Sequence, residues 1–251
     1  MGYHWNWKVL FAQEPGGTGT FLHYLVVGLE WSLACALCAW VIALLVGAIV
    51  GTLRTTTNRW VVGIGNVYVE IFRNVPLLVQ MFLWFFVVPE LLPTRLGDAI
   101  KQMPPPWAAF VPAVLCLGIF TSVRVAEQVR AGIGSLPRGQ RMAAIAMGLT
   151  QFQAYRFVIL PQAFRIILPP LTSEFMNIIK NSSVALTIGL MELTARARAM
   201  QEFSFQVFEA FTAATLIYIV VNICVVFAMR WVEQRVAVPG FIGRAVAAGG
   251  H

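Results

Sequence analysis

From Trp31 to Leu53 the chain carries no charged residue. A run of that length exceeds the about 20 apolar residues that carry a helix across bilayer hydrocarbon, and it restricts the fold more than any other feature. Backbone N–H and C=O groups meet no water at that depth, so the segment must pair them internally, which an α-helix does. Further apolar runs at about 61–89, 107–123, 164–190 and 207–231 join the one at 30–53 to give five predicted spans. With 59% hydrophobic and 12% charged residues, the 251-residue chain leaves no stretch for a soluble domain of ordinary size. The expectation is one all-α integral membrane domain over 1–251.

Charge in the connections sets the predicted orientation. Arg54 and Arg59 separate the first two spans. Arg124, Arg130, Arg138, Arg141, Arg156 and Arg165 stand against Glu127 around the third connection, and Arg230, Arg235 and Arg244 follow the fifth span. The positive-inside rule makes these regions cytoplasmic. In the alternate connections Glu90 and Asp98 offset Arg95 and Lys101, and Glu192 and Glu202 offset Arg196 and Arg198. Five spans with a periplasmic N-terminus and a cytoplasmic C-terminus fit this alternation. The net charge of +7 then reflects retained cytoplasmic arginines, and nucleic acid is not an expected partner.

Two spans carry ionisable residues, which are costly at membrane depth and usually face a protein interior or a water-filled path. Glu70, Arg73 and Gln80 share one helical face of the second with Asn66, where Glu70 and Arg73 can pair at i,i+3. Glu174, Asn177, Lys180 and Asn181 share one side of the fourth. The stripes fit a translocation path or polar helix-to-helix packing, with the remaining faces left for lipid. Pro76, Pro169 and Pro170 are predicted to kink or break these helices.

Several chemistries are not expected. A phosphate-cradling loop needs a Gly-Lys pair, whereas Lys8, Lys101 and Lys180 follow Trp7, Ile100 and Ile179. His4, His23 and His251 lie near the two ends, without a metal-ligating pattern, and no G-x-S-x-G nucleophile motif occurs. Cys35-x-x-Cys38 has redox spacing but lies inside an apolar run, where thiols serve as small packing residues, and Cys116 and Cys224 do likewise. No catalytic residue, metal or cofactor is assigned to the chain.

The predicted connection at 124–163 contains a helical pattern from Gly139 to Phe152, with Ala144, Met147 and Phe152 on an apolar face. Such a helix suits a groove on a cytoplasmic partner, or a place on the lipid headgroups. Met142-Ala143-Ala144, Gly148 and Val158-x-Leu160-Pro161 have the full spacing of the E-A-A, three residues, G, nine residues, I-x-L-P signature, with Met for Glu and Val for Ile. The stretch therefore resembles the coupling segment of ABC importer permeases. "FRNVPLLVQ" (Phe72 to Gln80), "VRAGIGSLPRGQ" (Val129 to Gln140), "KNSSVALTIGLMELT" (Lys180 to Thr194) and "AMQEFSFQVFEAFTAA" (Ala199 to Ala214) resemble the polar amino-acid branch, most of all its glutamate/aspartate type.

That resemblance implies a MetI-like permease in a bacterial inner membrane. It pairs with a sister permease or a second copy of itself, and two ATPase subunits carrying ATP-Mg sit below it. A periplasmic solute-binding protein delivers the amino acid. Met142, Ala143, Ala144, Gly148, Leu160 and Pro161 are the implied ATPase-coupling residues. A self-sufficient channel or secondary transporter is the competing class, although no selectivity-filter motif or internal repeat is evident.

Overall fold

The computed structural model describes residues 3–17 and 19–236, the side chain of Arg138 excepted. Arg244 and the expected cytoplasmic C-terminus lie outside them. The first apolar run forms α1 (Phe21–Leu53), whose N-cap Thr20 accepts from the backbone N–H of His23 at 3.3 Å. α2 (Arg59–Asn74) begins after a tight turn and is capped by Asn58, whose side chain accepts from Trp60 N at 3.0 Å.

The second predicted span is not straight. α2 and α3 (Leu77–Leu91) meet at an angle of 100°. Pro76 explains the break: it has no N–H for the carbonyl of Phe72. Gln80 repairs it, donating from Nε2 to the carbonyls of Phe72 at 2.8 Å and Val75 at 2.9 Å. Only 2% of Gln80 is exposed, so this residue from the predicted path stripe serves the bend.

After the short α4 (Thr94–Lys101), α5 (Trp107–Gly134) outruns the predicted span by eleven residues, because Arg124, Glu127 and Arg130 continue the helix instead of leaving it. Hydropathy ends a span at the first charge, whereas here each of these charges has an ionic partner. α6 (Arg138–Ala146) and α7 (Gln151–Ala154) follow, and a π turn at Tyr155–Ile159 leads into α8 (Leu160–Asn181). Pro169 and Pro170 lie inside α8 without ending it, unlike Pro76. A 3-10 stretch, Ser182–Ile188, then leads to α9 (Leu193–Ser204) and α10 (Val207–Val236).

Three helices, α1, α5 and α10, are each long and apolar enough to cross a membrane, and the bent α2–α3 pair qualifies together. Within the most apolar window, 67% of α5 is buried, against 28% of α1 and 17% of α10. α5 is therefore the central helix. Its broadest contact is with α1, along a row of small buried residues that includes Ala36, Ala39, Ala43, Gly47 and Gly51. Small side chains let the two backbones approach, as in closely packed membrane helices. Cys35 and Cys116 fill the same core, whereas Cys38 and Cys224 are exposed on apolar surface, and all four are free thiols.

The expected balance of charge in the connection before α10 hides a structural carboxylate. Glu192 is fully buried and caps α9, accepting from the backbone of Thr194 at 3.0 Å and of Ala195 at 2.8 Å. Ser32 of α1 at 3.2 Å and Tyr218 of α10 at 3.1 Å complete its partners. Burying a carboxylate is tolerable when its lone pairs are filled in this way. Three helices are thereby tied at one point.

Candidate functional site

The predicted helix over Gly139–Phe152 is two helices joined by a sharp turn. α6 ends where Gly148 adopts φ +86°, a conformation glycine enters without steric penalty. Leu149 N donates to Ala144 O at 3.2 Å and Gly148 N to Ile145 O at 2.9 Å. This crossed pair is the Schellman ending, in which the left-handed residue turns the chain so that the last carbonyls are satisfied. α7 restarts at once, through a capping box: Gln153 N donates to Thr150 Oγ1 at 3.3 Å and Thr150 N to Gln153 Oε1 at 2.8 Å. The α6–α7 knuckle is thus closed by hydrogen bonds at both sides of Gly148.

Its faces differ from the simple amphipathic expectation. Ala144 is 4% exposed and points into the chain, whereas Met142, Ile145, Met147 and Phe152 stand outward, Met147 at 78% and Phe152 at 73%. Ala143 is exposed beside them. Tyr155 anchors the knuckle to the α1–α2 turn, donating to the carbonyl of Thr55 at 3.0 Å, and the guanidinium of Arg141 lies over its ring at 5.9 Å. Leu160 and Pro161 form the first turn of α8, where the missing N–H of proline costs least. The residues of the signature-like pattern therefore lie on one continuous piece of chain, with a large apolar surface facing outward.

The polar stripes separate into distinct places. Arg73, Arg124, Glu127 and Glu174 line a chamber of about 300 Å³ between α2, α5 and α8, walled by Phe72 and Phe120. Arg124 Nη1 lies 3.5 Å from Glu174 Oε2, and Arg73 Nη1 lies 4.0 Å from Glu127 Oε1. Glu127 is held more closely by Arg54 at 3.0 Å and Arg130 at 3.3 Å. Glu70 does not pair with Arg73. Its carboxylate accepts from Asn74 at 3.1 Å, on an exposed part of α2.

Lys180 lines a second, open groove of about 750 Å³ with Thr215, Tyr218 and Asn222, between α8 and α10. Asn177 and Asn181 are half-buried on α8 and line neither space. Sequence reasoning missed Arg124 and Glu127 as site residues by placing them in a loop. The i,i+3 spacing of Glu127 and Arg130, together with helix-forming residues up to Gly132, was the available signal. Among the described residues, no group of His, Cys, Asp and Glu is arranged to hold a metal ion.

Apolar helices of spanning length, a charged chamber between α2, α5 and α8 and an exposed apolar knuckle are the arrangement of a polytopic membrane protein. The chain belongs to the family of binding-protein-dependent transport system inner membrane components, whose model matches residues 34–238. It is 49% identical over 244 residues to the glutamate/aspartate import permease protein GltJ of Escherichia coli (strain K12), covering 97% of this chain and 99% of that protein. A solved amino acid ABC transporter with histidines has a chain 31% identical to it, with a TM-score of 0.71 over 86% of this chain and 95% of that one. An inward-facing MetNI methionine ABC transporter gives a TM-score of 0.72 at 20% identity, over 87% of this chain and 98% of that one, a likeness of fold alone. The fold is thus the MetI-like fold of ABC importer permeases, and the chain is a multi-pass inner-membrane permease subunit.

Proposed function

We propose that this permease carries acidic amino acids, glutamate or aspartate, along a path beside α2, α5 and α8, and that the α6–α7 knuckle couples it to ATP hydrolysis on two separate ATPase subunits. The observation that carries the coupling role is the outward set Met142, Ile145, Met147 and Phe152 on a hydrogen-bonded turn. A rigid apolar projection transmits force into a partner groove better than a flexible loop does. The substrate reading is supported by the extent of the match to GltJ and by the arginines of the chamber.

In this reading the N-terminus and the α9 side face the periplasm, where a solute-binding protein docks, and the knuckle faces the cytoplasm. Arg54, Arg59, Arg141 and Arg156 at the knuckle end support that orientation. A sister permease or a second copy completes the path, and lipid covers outward stripes such as Leu216, Ile223 and Phe227 on α10. ATP-Mg belongs to the ATPases. Their closure on nucleotide draws the knuckles together and turns the permeases from inward-facing to outward-facing.

Photo-crosslinking tests the docking. A photoreactive residue at Met147 is expected to capture the ATPase subunit, and one at Ala144, which is buried, to capture none. Equal capture from both positions, or from neither, contradicts the arrangement.

A further inference from the structure

Two arginines, Arg73 and Arg124, and two carboxylates, Glu127 and Glu174, line the chamber, but one of the carboxylates is drawn on by arginines from outside it. Glu127 is committed to Arg54, which is 7% exposed, and to Arg130. With that carboxylate occupied, Arg73 and Arg124 face one remaining carboxylate, Glu174. The side chains of the two arginines are 63% and 45% exposed and that of Glu174 is 13% exposed, so the cations are the more accessible charges. An excess cation among apolar helices is costly without an anion to meet it.

The three groups also lie at one level. Tyr155, just before α8, bonds to the turn just before α2, so both helices start at the same end of the molecule. Arg73 and Glu174 each lie 14 residues beyond the first residue of their helix, about 21 Å along it at 1.5 Å per residue. Arg124 meets Glu174 directly, and its guanidinium lies 5.2 Å from the ring centroid of Phe120. The stacking orients the guanidinium against the chamber wall while nearly half of the side chain stays accessible.

We infer that Arg124, Arg73 and Glu174 form a recognition site for a dicarboxylic amino acid, with Arg124 as its specificity-determining residue; the inference rests on the permease reading above. Two guanidinium groups and one carboxylate are the charge inverse of a molecule bearing two carboxylates and one ammonium. Glu174 exchanges its contact with Arg124 for the ammonium group of the substrate, and the released guanidinium takes a carboxylate in a two-pronged hydrogen bond. Arg73, whose contact with Glu127 is long, takes the other. An amide analogue leaves one guanidinium without its anion, and a site built for a polar group discriminates against a ligand that lacks it.

The test is direct binding of labelled glutamate and glutamine to the purified permease–ATPase complex in nanodiscs without the solute-binding protein, alongside ATP-dependent uptake by the full transporter. Wild type is expected to bind glutamate in preference to glutamine. Arg124→Gln should lower the glutamate-to-glutamine affinity ratio by about tenfold, and Arg124→Lys, which keeps the charge but neither the two-pronged fork nor the stacking, should fall between Arg124→Gln and wild type. Glu174→Gln should weaken both ligands together and leave the ratio unchanged, since both share the ammonium group. An unaltered ratio in Arg124→Gln overturns the assignment and leaves the permease reading standing, as does a wild-type complex that imports glutamate but binds neither amino acid. Uptake that proceeds without ATP or the ATPase strikes the permease reading itself.

Discussion

Replacing Gly148 by aspartate is expected to abolish ATP-driven uptake in a variant that still inserts into the membrane. At φ +86° an aspartate costs about 1–2 kcal/mol of backbone strain. No atom lies within 4 Å of the place its Cβ would take, so the chain has room for the side chain and the spans are undisturbed. What changes is the knuckle. The strain opposes the Schellman ending that sets the angle between α6 and α7, and a carboxylate appears beside Met147 on the apolar surface offered to the ATPase. Under the proposed coupling role, desolvating that charge against an apolar partner surface opposes docking. Loss of uptake with normal membrane insertion and lost ATPase co-purification supports the coupling role, and normal uptake contradicts it.

The second large effect is on stability and lies in the α1–α5 seam. Gly47→Val is expected to destabilise the permease by about 2 kcal/mol or more through overpacking, and to lower its thermal midpoint by several degrees. A Cβ at position 47 would stand 2.5 Å from Val125 Cβ and 2.8 Å from Ser122 O, distances that real contacts do not reach. One of those atoms is backbone, so α1 must move away from the central helix. Gly63→Ala on α2, where nothing lies within 4 Å of the new Cβ, should leave the midpoint unchanged or raise it slightly, because alanine favours a helix over glycine by about 0.5–1 kcal/mol. Equal midpoints for Gly47→Val and wild type would show that the seam is looser than the structure describes.

What was legible in the sequence follows from what its signals measure. Apolar runs located α1, α5 and α10, because a helix in hydrocarbon needs nothing but length and apolar side chains. Hydropathy weighs residues singly, so it stopped the third span before Arg124 although α5 continues through three more charged positions. Those charges are tolerable only because Glu174, Arg54 and the helix itself supply partners, and the first lies on α8 and the second just after α1. Glu192 was hidden for the same reason: its donors come from α1, α9 and α10.

The spacing of Met142, Gly148 and Pro161 picked out the stretch that forms the knuckle, but periodicity placed Ala144 on the same apolar face as Met147 and Phe152, whereas it is buried. A helical pattern read across Gly148 assumes one axis, and the turn there changes the axis. Gln80 similarly satisfied the periodicity of a path stripe while its amide was needed one turn earlier, where Pro76 leaves a carbonyl open. The chamber was half visible. Arg73 and Glu174 stood out as charges in apolar runs, but their relation to Arg124 depends on which helices meet.

Uptake of labelled glutamate into proteoliposomes containing this chain with its ATPase, its sister permease or second copy, and its solute-binding protein tests the central claim most directly, each component being omitted in turn. Uptake that requires ATP and falls to background when the ATPase or the solute-binding protein is withheld is the predicted result. Glutamate movement by this chain alone, without ATP, would contradict it and make the protein a channel or secondary transporter.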